Sequence, residues 1–98
     1  MVRNEYILDL GYAGRFRVSS FSEAKEVARR RTGASRIVAY DANQWRISNE
    51  TQFKQAMGAN RKHDRSFPGW DVGYGYEVNF YTSQSENAEF VGQVRHIG

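Results

Sequence analysis

The sequence predicts an α+β domain built on a mainly antiparallel sheet, and three observations carry that prediction. Three pairs of short segments with alternating apolar residues are each joined by a cluster of turn-forming residues, the pattern of β-hairpins. Two stretches between the hairpins place apolar residues at helical spacing behind capping residues. No Pro/Gly/Ser-rich stretch is long enough to be a linker, so the 98 residues read as one domain, 1–98, in the order ββαββαββ. Hairpin connections make the sheet antiparallel, with an amphipathic first helix packed on one face and a second, short helix after the second hairpin.

In the first hairpin Tyr6, Leu8 and Leu10 alternate with Glu5, Ile7 and Asp9, the cluster Gly11, Tyr12, Ala13 and Gly14 turns the chain, and residues 15–18 alternate again. Successive strand side chains face opposite ways, so Phe16 and Val18 point to the core and Arg15 and Arg17 project outward. Ser20 followed by Glu23 is a capping box: the hydroxyl accepts the amide at the third helical position while the carboxylate reaches back. Phe21, Ala24, Val27 and Ala28 then recur at helical spacing, and Gly33 suits the left-handed conformation that ends a helix. The last turn is Arg29, Arg30 and Arg31, where cations oppose the negative end of the helix dipole. Three consecutive arginines fan across about 200° of helix, so they cannot all serve one local purpose.

Residues 36–40 read as a strand, 41–44 as a turn and 45–47 as the returning strand. Asn49 with Gln52 is a second capping box, for a short helix over 50–57 that buries Phe53, Ala56 and Met57 and ends at Gly58. From 59 to 73 no period survives, the composition turns polar and basic, and Pro68 with Gly69 punctuates the stretch. This predicts a long basic loop, and loops of that length in a small domain are usually functional or disordered. In the third hairpin Tyr74, Tyr76, Val78 and Phe80 share a face of one strand, the chain turns near 83–87, and the last strand puts Phe90 and Val94 on one face and Val91 on the other.

Several chemistries are disfavoured. The chain has no cysteine, which removes disulfides, thiolate metal sites and a cysteine nucleophile together and suits a reducing cytoplasm. No stretch approaches the roughly 18 apolar residues of a membrane span, and the charged start lacks the apolar core of a signal peptide, so the expectation is a cytoplasmic protein without a membrane partner. Two histidines, His63 and His96, have no metal-ligand spacing around them. The glycines at 69, 73 and 75 lack the strand, loop and helix context of a phosphate loop. Neither a cofactor nor a metal is expected. One catalytic reading remains, a metal-independent ribonuclease toxin using Arg61, Lys62, His63 and Arg65 for acid–base work and phosphate stabilisation. All four fall on the predicted loop, whereas catalysis needs groups held to well under about an ångström. The expectation is a protein that is not an enzyme.

Charge points to binding. The net charge of +3 conceals an uneven distribution: residues 15–65 hold twelve Lys/Arg against five Asp/Glu, and residues 66–98 hold one against four. Eleven of the fourteen cations are arginine, which forks onto carboxylates and phosphates and stacks on rings. The candidate partner-binding residues are Arg15, Arg17, Arg29, Arg30, Arg31, Arg36, Arg61, Lys62, Arg65 and Trp70. On nucleic acid these cations would supply phosphate contacts of little sequence specificity. On a protein, Arg and Trp are the side chains that most often anchor interfaces.

The helix of Phe21, Ser22, Glu23, Ala24, Lys25, Glu26, Val27 and Ala28 is similar to the Leu/Phe-x-Glu-Ala-Lys-x-x-Ala helix of one family of small phage-encoded anti-CRISPR proteins, inhibitors of type I surveillance complexes. The likeness spans residues 6–47, including the following strands and Trp45. Residues 59–98 have no counterpart, and no site residue carries over by motif. The resemblance implies a stoichiometric, non-enzymatic inhibitor that binds a bacterial CRISPR effector complex and blocks nucleic-acid recognition or nuclease recruitment, in some relatives with DNA contact. The alternative is a small basic nucleic-acid-binding protein.

Overall fold

The computed structural model describes residues 6–63 and 77–96. In chain order the elements are β1 (Tyr6–Asp9), β2 (Arg15–Val18), α1 (Phe21–Thr32), β3 (Val38–Asp41), β4 (Arg46–Ile47), α2 (Glu50–His63), β5 (Glu77–Tyr81) and β6 (Phe90–His96).

Both helices begin on the expected caps. The Ser20 hydroxyl accepts the Glu23 amide at 3.1 Å, and the Glu23 carboxylate reaches back one residue beyond the cap, to the Ser19 amide at 2.6 Å. Asn49 accepts the Gln52 amide at 2.9 Å while the Gln52 side chain accepts the Ser48 amide at 2.7 Å. At the far end of α1, Gly33 adopts φ 75° and donates to the Arg29 carbonyl, a conformation that is strained for a residue with a Cβ. The two helix starts are also tied to each other. The Glu50 carboxylate accepts the Phe21 amide at 3.1 and 3.0 Å, satisfying one of the four amides that a helix N-terminus leaves without an intrahelical acceptor.

The six strands form one antiparallel sheet in the order β2-β1-β6-β5-β3-β4. The three hairpins are those the sequence predicts, and the sheet is completed by two non-local pairings. β1 lies against β6, with Tyr6 opposite His96, and β3 lies against β5, with Val38 opposite Tyr81. Both helices pack on one face. A single cluster there joins Tyr6, Leu8, Val78, Phe80 and Val94 of the strands to Phe21, Ala24 and Ala28 of α1 and to Phe53 and Met57 of α2. Phe53 stacks on Phe21 with ring centroids 5.1 Å apart and meets Tyr6 edge-on at 5.0 Å. Burial pushes the Tyr6 hydroxyl above its ordinary pKa, and the Glu50 carboxylate adds to the shift.

Two expectations need correction. The second helix does not stop at Gly58 but continues to His63, so residues 59–63 are helical where a loop is predicted. A glycine inside a helix costs only about 1 kcal/mol relative to alanine, too little to stop a helix anchored by Phe53 and Met57, both 0 % exposed. The rest of the predicted loop, 64–73, with Arg65 and Trp70, lies outside the described residues, as do Tyr74 and Tyr76.

The second correction concerns β6. Phe80 pairs with Gly92 but the next residue, Tyr81, pairs with Phe90, so a bulge at Val91 inserts one residue into β6. One extra residue inverts the alternation beyond it. Val94 therefore points into the core at 0 % exposure while Phe90 points to the opposite face and is 58 % exposed. The expectation that the two share a face fails for this reason.

Candidate interaction surface

The sheet face opposite the helices takes the alternate residues of every strand, and among the described residues no helix or strand lies over it. It has two chemically distinct halves. Across β3, β5 and the start of β6 runs an aromatic rib: Tyr40 meets Tyr81 at 5.7 Å and Tyr81 meets Phe90 at 5.6 Å, both edge-to-face. Val38, opposite Tyr81 in the ladder, is 2 % exposed yet stands apart from the main core cluster, so this face has a small apolar floor of its own. Next to the rib, the Gln84 side chain of the β5–β6 turn meets the Arg46 guanidinium.

The other half is polar. Gln93 on β6 donates to Glu77 at 2.7 Å and to Asn79 at 3.0 Å on β5, and Arg95 donates to Gln93 at 2.6 Å. Further along, Arg15 on β2 donates to Asp9 on β1 at 3.2 Å. The Asp9 carboxyl is held below its ordinary pKa, first by the amide of Gly11 and then by the Arg15 and Arg95 charges, against an opposing contribution from desolvation. At neutral pH it is therefore a fixed acceptor and counter-charge, not a proton donor.

Among the described residues, the candidate arginines do not form one surface. Arg15 and Arg17 project from the outer face of β2 as predicted. Arg29 and Arg30 lie in the helix layer, where Glu26 accepts from both, at 2.7 and 3.1 Å. Arg31 folds back so that its guanidinium lies 4.9 Å from the centre of the Phe16 ring. Arg36 is exposed and lines an open groove of about 380 Å³ with Ser22, Lys25, Glu26, Arg29 and Ile37. Arg61 and Lys62 belong to the last turn of α2. The arginine triplet is thus partly neutralised within its own helix. Glu26 stands three and four residues before Arg29 and Arg30, a spacing that pairs charges on a helix.

The residues that sequence reasoning passed over are aromatic: Tyr40, Tyr81 and Phe90 on the open face, and Trp45, 73 % exposed at the β3–β4 turn. Trp45 stands beside a second groove of about 310 Å³, bounded by that turn and by Gln52, Gln55 and Ala56 of α2. Asp41 shapes the turn by accepting the amides of Asn43 and Trp45, each at 2.9 Å. One signal for the bulge was present. A glycine inside a strand pattern, here Gly92, marks a bulge or a close backbone approach.

No helix among the described residues is long and apolar enough to cross a membrane. Set against protein families, curated proteins and solved structures, the chain finds no match.

Proposed function

We propose that this chain is a non-enzymatic binding protein that engages a protein partner through the open face of its sheet. The observation that carries the reading is the aromatic rib Tyr40, Tyr81 and Phe90. A small domain that turns a phenylalanine outward beside tyrosines and arginines offers the side chains on which interfaces concentrate their binding energy. The resemblance of residues 6–47 to anti-CRISPR inhibitors supplies the class of partner, a bacterial CRISPR effector complex of type I, which the chain would block stoichiometrically.

Direct nucleic-acid binding is the second reading, favoured by the excess of arginine over acids in residues 15–65. The pairing of Arg29 and Arg30 with Glu26, and of Arg15 with Asp9, weakens it, because each pair removes positive charge from any phosphate track. Binding of the purified chain to a type I effector complex, to duplex DNA and to RNA, each measured from low to physiological salt, separates the two. The protein reading expects retention of the complex at physiological salt with a shallow salt slope, and loss of both nucleic acids. A steep slope and persistent nucleic-acid binding would replace it with the second reading.

A further inference from the structure

We propose that the groove between the β3–β4 turn and α2 is a binding site for a neutral sugar, with Trp45 as the platform on which one face of a pyranose ring lies. The inference goes beyond the protein-binding reading and uses none of the rib residues. Every residue that bounds the groove is a described one, from the β3–β4 hairpin on one side and the first half of α2 on the other. Its volume of about 310 Å³ lies at the lower end of the roughly 300 to 1,000 Å³ of small-ligand sites.

The turn holds the tryptophan out. Trp45 is 73 % exposed, and its indole has neither a ring nor a hydrogen-bond partner among the described residues. Its backbone, by contrast, is fixed through both polar groups. The Trp45 amide donates to the Asp41 carboxylate at 2.9 Å, and the Trp45 carbonyl accepts the Asp41 amide at 2.9 Å. The Gln44 amide donates to the Asp41 carbonyl at 3.0 Å, and Gln44 takes the left-handed conformation at φ 69°. That conformation is uncommon for a residue with a Cβ, and such strain concentrates where a fold holds a ligand-binding group in place. A large ring kept in water on a braced turn is preorganised for a flat apolar surface.

The surroundings of the ring select a sugar. The Gln52 side-chain oxygen is taken by the Ser48 amide, which leaves its NH2 group to donate. The Asn43 and Gln55 side chains have no partner at either end among the described residues. Asp41 adds a carboxylate whose Oδ1 accepts two amides and whose Oδ2 has no partner among the described residues. Amides that donate and accept, beside a carboxylate that accepts, match hydroxyl groups, which do both. The one cation of the groove, Arg46, is already met by Gln84 and is offset by Asp41, so there is no net positive charge for a phosphate, which disfavours a nucleotide. A pyranose with equatorial hydroxyls, as in β-linked glucose, has C–H groups on both faces for the indole and a rim of hydroxyls for the amides.

The test titrates the full chain with cellobiose and follows the indole N–H resonance of Trp45 and the side-chain amides of Asn43, Gln52 and Gln55. Saturable shifts centred on these groups are expected, with a dissociation constant on the order of 1 mM. Trp45→Ala should weaken binding at least about tenfold, Trp45→Tyr should restore part of it, and Gln55→Ala should cost about threefold. Both positions are exposed, and thermal melts check that each variant keeps its fold. Absence of shifts at roughly 50 mM cellobiose would overturn the assignment, as would equal binding by Trp45→Ala or shifts centred outside the groove. Adenosine, which has an aromatic base and no phosphate, would overturn it in favour of a nucleobase by moving the same resonances at lower concentration than cellobiose. No effector complex enters the experiment, so its failure and the failure of the protein-binding reading are separate results.

Discussion

Phe80 and Phe90 sit on neighbouring central strands of one sheet and lead opposite lives. Phe80 is opposite Gly92, points between the helices and is 0 % exposed; Phe90 is opposite Tyr81, points away from them and is 58 % exposed. One inserted residue, Val91, separates the two outcomes. The inner face is where the free energy of folding is gathered, since each fully buried large apolar side chain contributes roughly 1.5 to 3 kcal/mol. The outer face keeps Phe90 exposed to solvent beside half-buried Tyr40 and Tyr81. That contrast between faces is the ground on which the open face is proposed as an interface.

The contrast can be broken from the inner side first. Phe80→Ala removes a buried ring from the centre of the core and should destabilise the fold by about 3 to 5 kcal/mol in chemical denaturation. Gly92→Ala should follow. A Cβ at that position would lie 2.5 Å from the Asp9 carbonyl oxygen and 2.7 Å from the Leu10 side chain. The β1 backbone would have to move, at a cost on the order of 1 to 3 kcal/mol, read as a lowered Tm. Phe90→Ala sharpens the comparison from the other side: its effect on stability should stay below about 1 kcal/mol, while partner binding should fall at least about tenfold.

The smallest effect is in pH dependence. The folded pKa of Asp9 is depressed from its ordinary value of 3.8, so its contribution to stability is present above that value and lost as pH falls through the depressed one. In Asp9→Asn the Gly11 contact can persist but the charge on Arg15 is no longer matched. The stability difference between the wild type and this variant should be largest near neutral pH and shrink as the solution is acidified below about 4, measured by thermal melts across the acid limb.

Local chemistry was legible and long-range pairing was not. Ser20, Glu23, Asn49, Gln52 and Gly33 act within a few residues of themselves, and each does what its type predicts. The hairpins were readable for the same reason, because their turns join adjacent segments. The pairing of β1 with β6 and of β3 with β5 depends on how hairpins dock, which no local pattern encodes. The end of α2 was misplaced because the preference against helix at Gly58 is small beside tertiary anchoring. Among the site residues, Arg15 and Arg17 were correctly placed on an outer strand face by alternation alone. The rib was missed at Phe90 because a bulge breaks the period on which that reasoning depends. Arg29 and Arg30 read as binding cations because the dipole and the fan of the triplet leave out their pairing with Glu26, three and four residues earlier on the same helix.

The most direct test of the account compares the two faces in one binding experiment: association of wild-type chain, Phe90→Ala and Tyr81→Ala with a purified type I CRISPR effector complex at physiological salt, alongside the thermal stability of each. The account predicts that the wild type binds and that the Phe90→Ala variant binds at least about tenfold more weakly while melting close to the wild-type temperature. Unchanged affinity in both variants, with the wild type bound, would contradict the assignment of the open face as the interface. A wild type that fails to bind the complex would contradict the partner class.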